Sequence, residues 1–214
     1  MLKHLYSETG HGLVEQASFQ TLKGIQLIDA RVRGPDGKVV AYAPANGATY
    51  EENEIGRSLQ TVARVIRMDL GIRAFTVDMG GWDTHEAQPP RFANLVGQLT
   101  RALGAFHTDL AGRLDQIVLV TMSEFGRRLR SNKSNGTDHG HGGLMMVSAP
   151  RIAGGKIHGR WPGLRSEELD NRVDLAVTTD IRSVLCELMR TTLATPQAPA
   201  HVFPGFNAAQ LGLA

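Results

Sequence analysis

Cysteine is nearly absent from this chain: Cys186 is the only one, which excludes an intrachain disulfide and any multi-cysteine metal site. Its neighbours Leu185, Leu188 and Met189 recur at helical spacing, so the thiol reads as a small buried hydrophobe. Charge of one sign is lacking too. The formal net charge is +2 over 214 residues, too small to argue for a nucleic-acid partner, and the cluster Arg127, Arg128, Arg130 and Lys133 is local. No run of eighteen or more apolar residues occurs, and the opening MLKHLYSETG has no signal-peptide core. The expectation is a soluble chain with no membrane partner and no export address of its own. There is no Walker A loop, no G-x-G-x-x-G, no H-E-x-x-H and no G-x-S-x-G. Nucleotide binding through those loops, zincin-type proteolysis and serine-esterase chemistry therefore lose their support. Internal repeats and low-complexity tracts are absent as well.

What is present is enough for a core, since 42% of the residues are hydrophobic. The length suits one large domain or one and a half small ones. Residues 1–30 carry a weak helical pattern (Leu2, Leu5, Leu22, Ile25, Ile28). Residues 32–46 are turn-rich around Pro35-Asp36-Gly37, so 1–49 is expected to be a peripheral segment. Ile55, Leu59, Val62, Ile66 and Leu70 predict an amphipathic helix closed by Gly71, followed by an interior strand over 72–78. Pro89-Pro90 are expected to break the chain before a long helix marked by Phe92, Leu95, Leu99, Leu103, Phe106, Leu110 and Leu114. Strands are expected at 117–122 and 144–147, and a last helix after Thr178-Thr179-Asp180. Helix, strand, helix, strand is the order of an α/β fold with a parallel sheet flanked by helices.

Chemistry is concentrated in two loops, each just past a predicted strand, where open α/β sheets build their sites. Gly80-Gly81-Trp82-Asp83-Thr84-His85 follows the first. Residues 123–143, with Glu124, Arg127, Asp138, His139 and His141 among glycines, follow the second. Carboxylate and imidazole ligands on turns that approach an ion closely suit a hard-to-borderline divalent metal. Asp83 and His85 share a side if the segment is extended; otherwise Asp83 caps a turn and His85 is surface. Glu124 faces the same site or pairs with Arg127 or Arg128. Arg127 contacts an anionic substrate group or is merely solvated. Asp78 is placed to orient a ligating histidine. His4, His11, His107 and His201 read as bland, and His158 as part of a surface hairpin or the site's edge. Ser7, Thr9 and Ser18 have no constellation around them that makes a nucleophile.

Those loops, Ser123-Glu124-Phe125-Gly126-Arg127 and Gly136-Thr137-Asp138-His139-Gly140 resemble the hallmark stretches of a bacterial family known as domain of unknown function 1501. The resemblance implies a sulfatase-like branch of the alkaline phosphatase superfamily. The resemblance covers about residues 50–214, and the final helix and Val202-Phe203-Pro204-Gly205-Phe206 also fit it. It implies an alkaline-phosphatase-like parallel-sheet α/β core holding one or two divalent ions, zinc or manganese, that act on small anionic phosphate or sulfate esters. Asp83 and His85 resemble one ligand pair and His139 a histidine supplied by a T-x-H loop, with Asp138 and His141 beside them. Glu124 and Arg127 are the candidate catalytic residues. Phe125 stands where the superfamily has a metal-binding histidine, which leaves a mononuclear site, a site using His141, or a degenerate one. The superfamily's nucleophile comes from an N-terminal half with no counterpart here. The chain thus resembles the C-terminal portion of a longer protein, incomplete at its N-terminus, of a kind often exported through a twin-arginine signal. A non-catalytic member that binds or scaffolds is the alternative reading.

Overall fold

The computed structural model describes residues 12–191 and 193–213. Leu2, His4, Leu5, Ser7, Thr9 and His11 lie outside the described residues. Helix α1 spans Gly12–Val32, α2 Glu54–Arg67 and α3 Gln88–Asp109; a 3-10 turn follows at Ala111–Gln116.

The centre of the molecule is the packing of α2 against α3. Asn53 starts α2 in extended conformation and accepts the Gly56 amide on Oδ1 at 2.8 Å, which satisfies a donor that the helix itself leaves orphaned. Gly56 is required there, because a Cβ would stand 2.2 Å from the Glu51 carbonyl oxygen. From this start Ile55 and Leu59 of the predicted stripe, together with Ala63, pack with Ala102, Ala105, Phe106, Leu110 and Tyr50, and Val62 and Ile66 lie partly buried against them. Burial of those apolar side chains is the main stabilising term of the fold. Beyond α2, Asp69 and Gly71 both take positive φ, 51° and 73°, and Asp69 is clasped by both terminal nitrogens of Arg113.

Pro89 and Pro90 do not precede the long helix; they lie in its first turn. A proline costs nothing there because the first N–H groups have no intrahelical partner. At its far end α3 gives way at Asp109 to the 3-10 turn, which carries Leu114 onto the core.

Residues 71–84 run outside any strand, and Ile72 and Phe75 are exposed; only Val77 and Met79 reach the core. The strands β1 (Leu119–Thr121) and β4 (Met146–Ser148) pair antiparallel, Val120 opposite Val147. Between them β2 (Gly126–Arg127) and β3 (His139–Gly140) form a second antiparallel pair, Arg127 opposite His139. No helix lies between β1 and β4 to carry the chain across a sheet face, which a parallel return ordinarily needs. The strand pairs among the described residues are thus antiparallel, where the sequence had suggested parallel ones.

Helix α4 (Ile181–Thr191) begins after Asp180, whose Oδ1 accepts the Arg182 amide at 2.8 Å. Its buried face includes Cys186 and Glu187. The Glu187 carboxylate accepts the amides of Leu211 and Leu213, and Ser183 Oγ accepts that of Ala209. The C-terminal residues are thereby strapped to α4. The short α5 (Ala198–Val202) leads to Phe206, whose ring lies under the Arg182 guanidinium, 4.0 Å from its centroid.

Candidate metal centre

Two loops are brought together by a β-bridge between Glu86 and Asn135. The Ala87 amide donates to Ser134 O at 3.0 Å and the Gln88 amide to Asn135 O at 2.8 Å. Gly136 makes the approach possible: a Cβ on it would stand 2.1 Å from the His85 carbonyl carbon. Asn132 adds a side-chain tie, with Nδ2 donating to His85 O at 2.8 Å and to Asp138 Oδ1 at 3.2 Å. Its Oδ1 accepts the amides of Ser134 and Gly136.

This closure converges three potential ligands. His139 Nε2 lies 2.7 Å from Asp83 Oδ1, His85 Nε2 lies 3.0 Å from the same oxygen, and the two imidazole nitrogens are 3.1 Å apart. A tetrahedral ion about 2.0–2.1 Å from each donor would hold them roughly 3.3 Å from one another. The observed triangle is a few tenths of an ångström tighter, so the donor set fits a single divalent ion after a slight opening. Three protein ligands on an exposed face leave room for a further one, as catalytic zinc sites do and closed structural sites do not.

The supporting groups suit the same reading. Asp138 is not in the triangle; its Oδ1 stands 3.4 Å from His85 Nδ1. A carboxylate behind the far ring nitrogen favours the tautomer whose Nε2 lone pair faces the triangle. The Phe125 ring stacks on His139, centroids 3.9 Å apart and planes at 21°, and fixes that imidazole's orientation. Arg127 donates through Nη2 to Asp83 Oδ1 at 2.6 Å and to Trp82 O at 2.8 Å, and through Nη1 to Thr137 O at 2.6 Å. Its donors are thus largely spent inside the site rather than offered to an anion. The His139 hydrogen bond, then that of Arg127, holds the Asp83 carboxyl below its usual range, and Asn132, then His85, does the same for Asp138.

The other residues singled out lie elsewhere. His141 turns to Asp170, with Nδ1 2.5 Å from Oδ2, and that carboxylate raises the imidazole's pKa. Glu124 and Asp78 are exposed and make no hydrogen bond or ion pair with the described residues; Arg128 faces Asp174 instead, at 3.8 Å. His158 donates to Ala153 O within its own loop. Thr84, Thr137, Gln88 and Asn132 were not singled out. A hydroxyl residue in each of D-T-H and T-D-H was the available hint; both are buried, Thr84 between Asp83 and His85 and Thr137 between Gly136 and Asp138.

No curated protein and no solved structure matches this chain. The sequence model of the family described as "Protein of unknown function (DUF1501)" matches residues 40–194. That is well over half of the chain, and the chain belongs to this family.

Proposed function

We propose that the chain contributes the metal-binding part of a divalent-metal-dependent hydrolase acting on phosphate or sulfate esters. Its fold would be part of an alkaline-phosphatase-like, parallel-sheet α/β protein, with zinc or manganese as the ion. The observation that carries this reading is the convergence of Asp83, His85 and His139, whose ligand atoms all lie within 4.8 Å of one another. When bound, the ion would act as a Lewis acid on an ester oxygen. Asp83 supplies the negative charge of the site, His85 and His139 supply neutral donors, and Asp138 holds the proton on His85 Nδ1. Arg127 anchors Asp83 against both loops. The Phe125 face covers one side of His139 and limits water access there.

Calorimetric titration of the metal-free chain with zinc and with manganese tests the proposal, with His139→Ala as control. Saturable binding that His139→Ala abolishes is expected; equal binding, or none, in both proteins would sink it. Turnover of an aryl phosphate or an aryl sulfate by the metal-loaded protein tests the chemistry.

Phe125 favours a second reading. An aromatic ring stacked on His139, where an imidazole would extend the ligand set, suits a binding or scaffold protein that keeps the site but not the reaction. Metal binding without turnover of either ester would select this reading.

A further inference from the structure

Gln88, half-buried in the first turn of α3, carries an amide nitrogen with two hydrogens to donate. Both are used. Nε2 lies 2.9 Å from Thr84 Oγ1 and 2.9 Å from Thr137 Oγ1. These hydroxyl residues are 1% and 9% exposed, so water is a poor substitute for the amide. Thr84 sits between Asp83 and His85, and Thr137 stands two residues before His139. The direct backbone link between them, Thr137 N to Thr84 O, is a long 3.3 Å.

We infer that Gln88 is a positioning residue: its amide stitches the two ligand-bearing loops together and so sets the spacing of Asp83 and His85 against His139. The inference rests on the metal reading of that triangle. Two other side chains also tie the loops, but each touches the chemistry directly. Arg127 shares the Asp83 oxygen that an ion would take, and Asn132 holds Asp138. Gln88 makes hydrogen bonds to neither kind of group, so any effect it has on metal binding must pass through geometry. Gln88 sits in the first turn of a helix, whereas Asn132 lies in a loop, and sites held from regular elements are the more precise.

The test compares the wild-type chain with Gln88→Leu, Gln88→Glu and Ser183→Ala. Zinc affinity is read by calorimetry, coordination by the visible absorption of bound cobalt(II), and loop closure by hydrogen exchange of the metal-free proteins. Gln88→Leu is expected to weaken zinc binding about 10- to 100-fold, the usual cost of losing a group that orients ligands. Its cobalt band should change, and amides in 82–88 and 132–140 should exchange faster together. Gln88→Glu should recover most of the loss, since each threonine hydroxyl can donate to the new carboxylate. Ser183→Ala removes a buried hydroxyl on α4 and should lower stability while leaving zinc affinity unchanged.

Zinc affinity in Gln88→Leu equal to wild type, or reduced no more than in Ser183→Ala, would overturn the inference. If the wild type binds neither zinc nor cobalt, the metal reading fails and exchange decides the stitch by itself. Faster exchange in both loops of Gln88→Leu then upholds it, and unchanged exchange refutes it.

Discussion

Asp83 Oδ1 faces three partners at once, Arg127 at 2.6 Å, His139 at 2.7 Å and His85 at 3.0 Å. Without a cation, two imidazole nitrogens and a carboxylate oxygen are compatible only if protons sit between them. With one, all three direct lone pairs at a common centre. The site is exposed, so the surface ion pairs contribute little stability by themselves. Asp83→Asn keeps the shape while removing the charge. It should lower zinc affinity at least as much as His85→Ala in a side-by-side titration, because an anionic ligand contributes more than a neutral one to a doubly charged ion. Gly136→Ala probes the same site through the backbone. The added Cβ meets the His85 carbonyl group, so the two loops must separate. The expected readout is zinc binding weakened by tenfold or more, with α2 and α3 intact by circular dichroism. Undiminished binding in Gly136→Ala would show that the loops need not touch.

At the scale of elements, the ends of the helices decide more than their middles. Asn53→Ala removes the acceptor for the Gly56 amide and should cost about 1 kcal/mol in chemical denaturation. Glu187→Gln replaces one of two oxygens that receive the Leu211 and Leu213 amides with a group that donates. It should loosen the C-terminal strap, seen as earlier proteolytic cutting beyond residue 202 and a loss of roughly 1–3 kcal/mol. These effects bear on what the sequence could disclose. The stripe of α2 and the long apolar series of α3 were legible because period and spacing are local properties. The D-x-H and T-D-H motifs named the two segments whose Asp83, His85 and His139 lie together, for the same reason. The role of Pro89-Pro90 was misread, since a pair of prolines breaks a helix or begins one according to which side the helix lies on. Where His141 points was not legible at all: its partner Asp170 is 29 residues away. Nor could spacing show that 72–78 would lack a ladder partner, because pairing belongs to whichever segment lies alongside.

The longest-range dependence in the molecule gathers on Asp109, a fully buried carboxylate at the end of α3. Its Oδ2 accepts the Tyr42 hydroxyl at 2.8 Å and the Tyr50 hydroxyl at 3.0 Å; its Oδ1 accepts the Ala45 amide at 2.8 Å and Arg67 Nε at 3.2 Å. Segment 42–50, the end of α2 and the end of α3 are thus tied to one group, 67 residues from its farthest hydrogen-bond partner in sequence. The turn-rich stretch expected to be peripheral is anchored there, which fits a family match that starts at residue 40. Burial first, then the hydrogen bond to Asp109, raises the Tyr42 hydroxyl to about 12, and the same causes raise that of Tyr50. In the unfolded chain a phenol loses its proton near pH 10. Between roughly pH 10 and 12 the unfolded state therefore binds fewer protons than the folded one, and stability falls as pH rises. The contribution is complete below pH 10 and declines towards the folded value. Urea midpoints should accordingly be flat up to about pH 9.5 and drop above it. Tyr42→Phe loses a hydrogen bond to a charged acceptor, about 1.5–3 kcal/mol at neutral pH, yet its alkaline decline should be shallower because one titrating group is gone. A Tyr42→Phe profile parallel to wild type above pH 10 would mean that folding does not raise this hydroxyl's pKa.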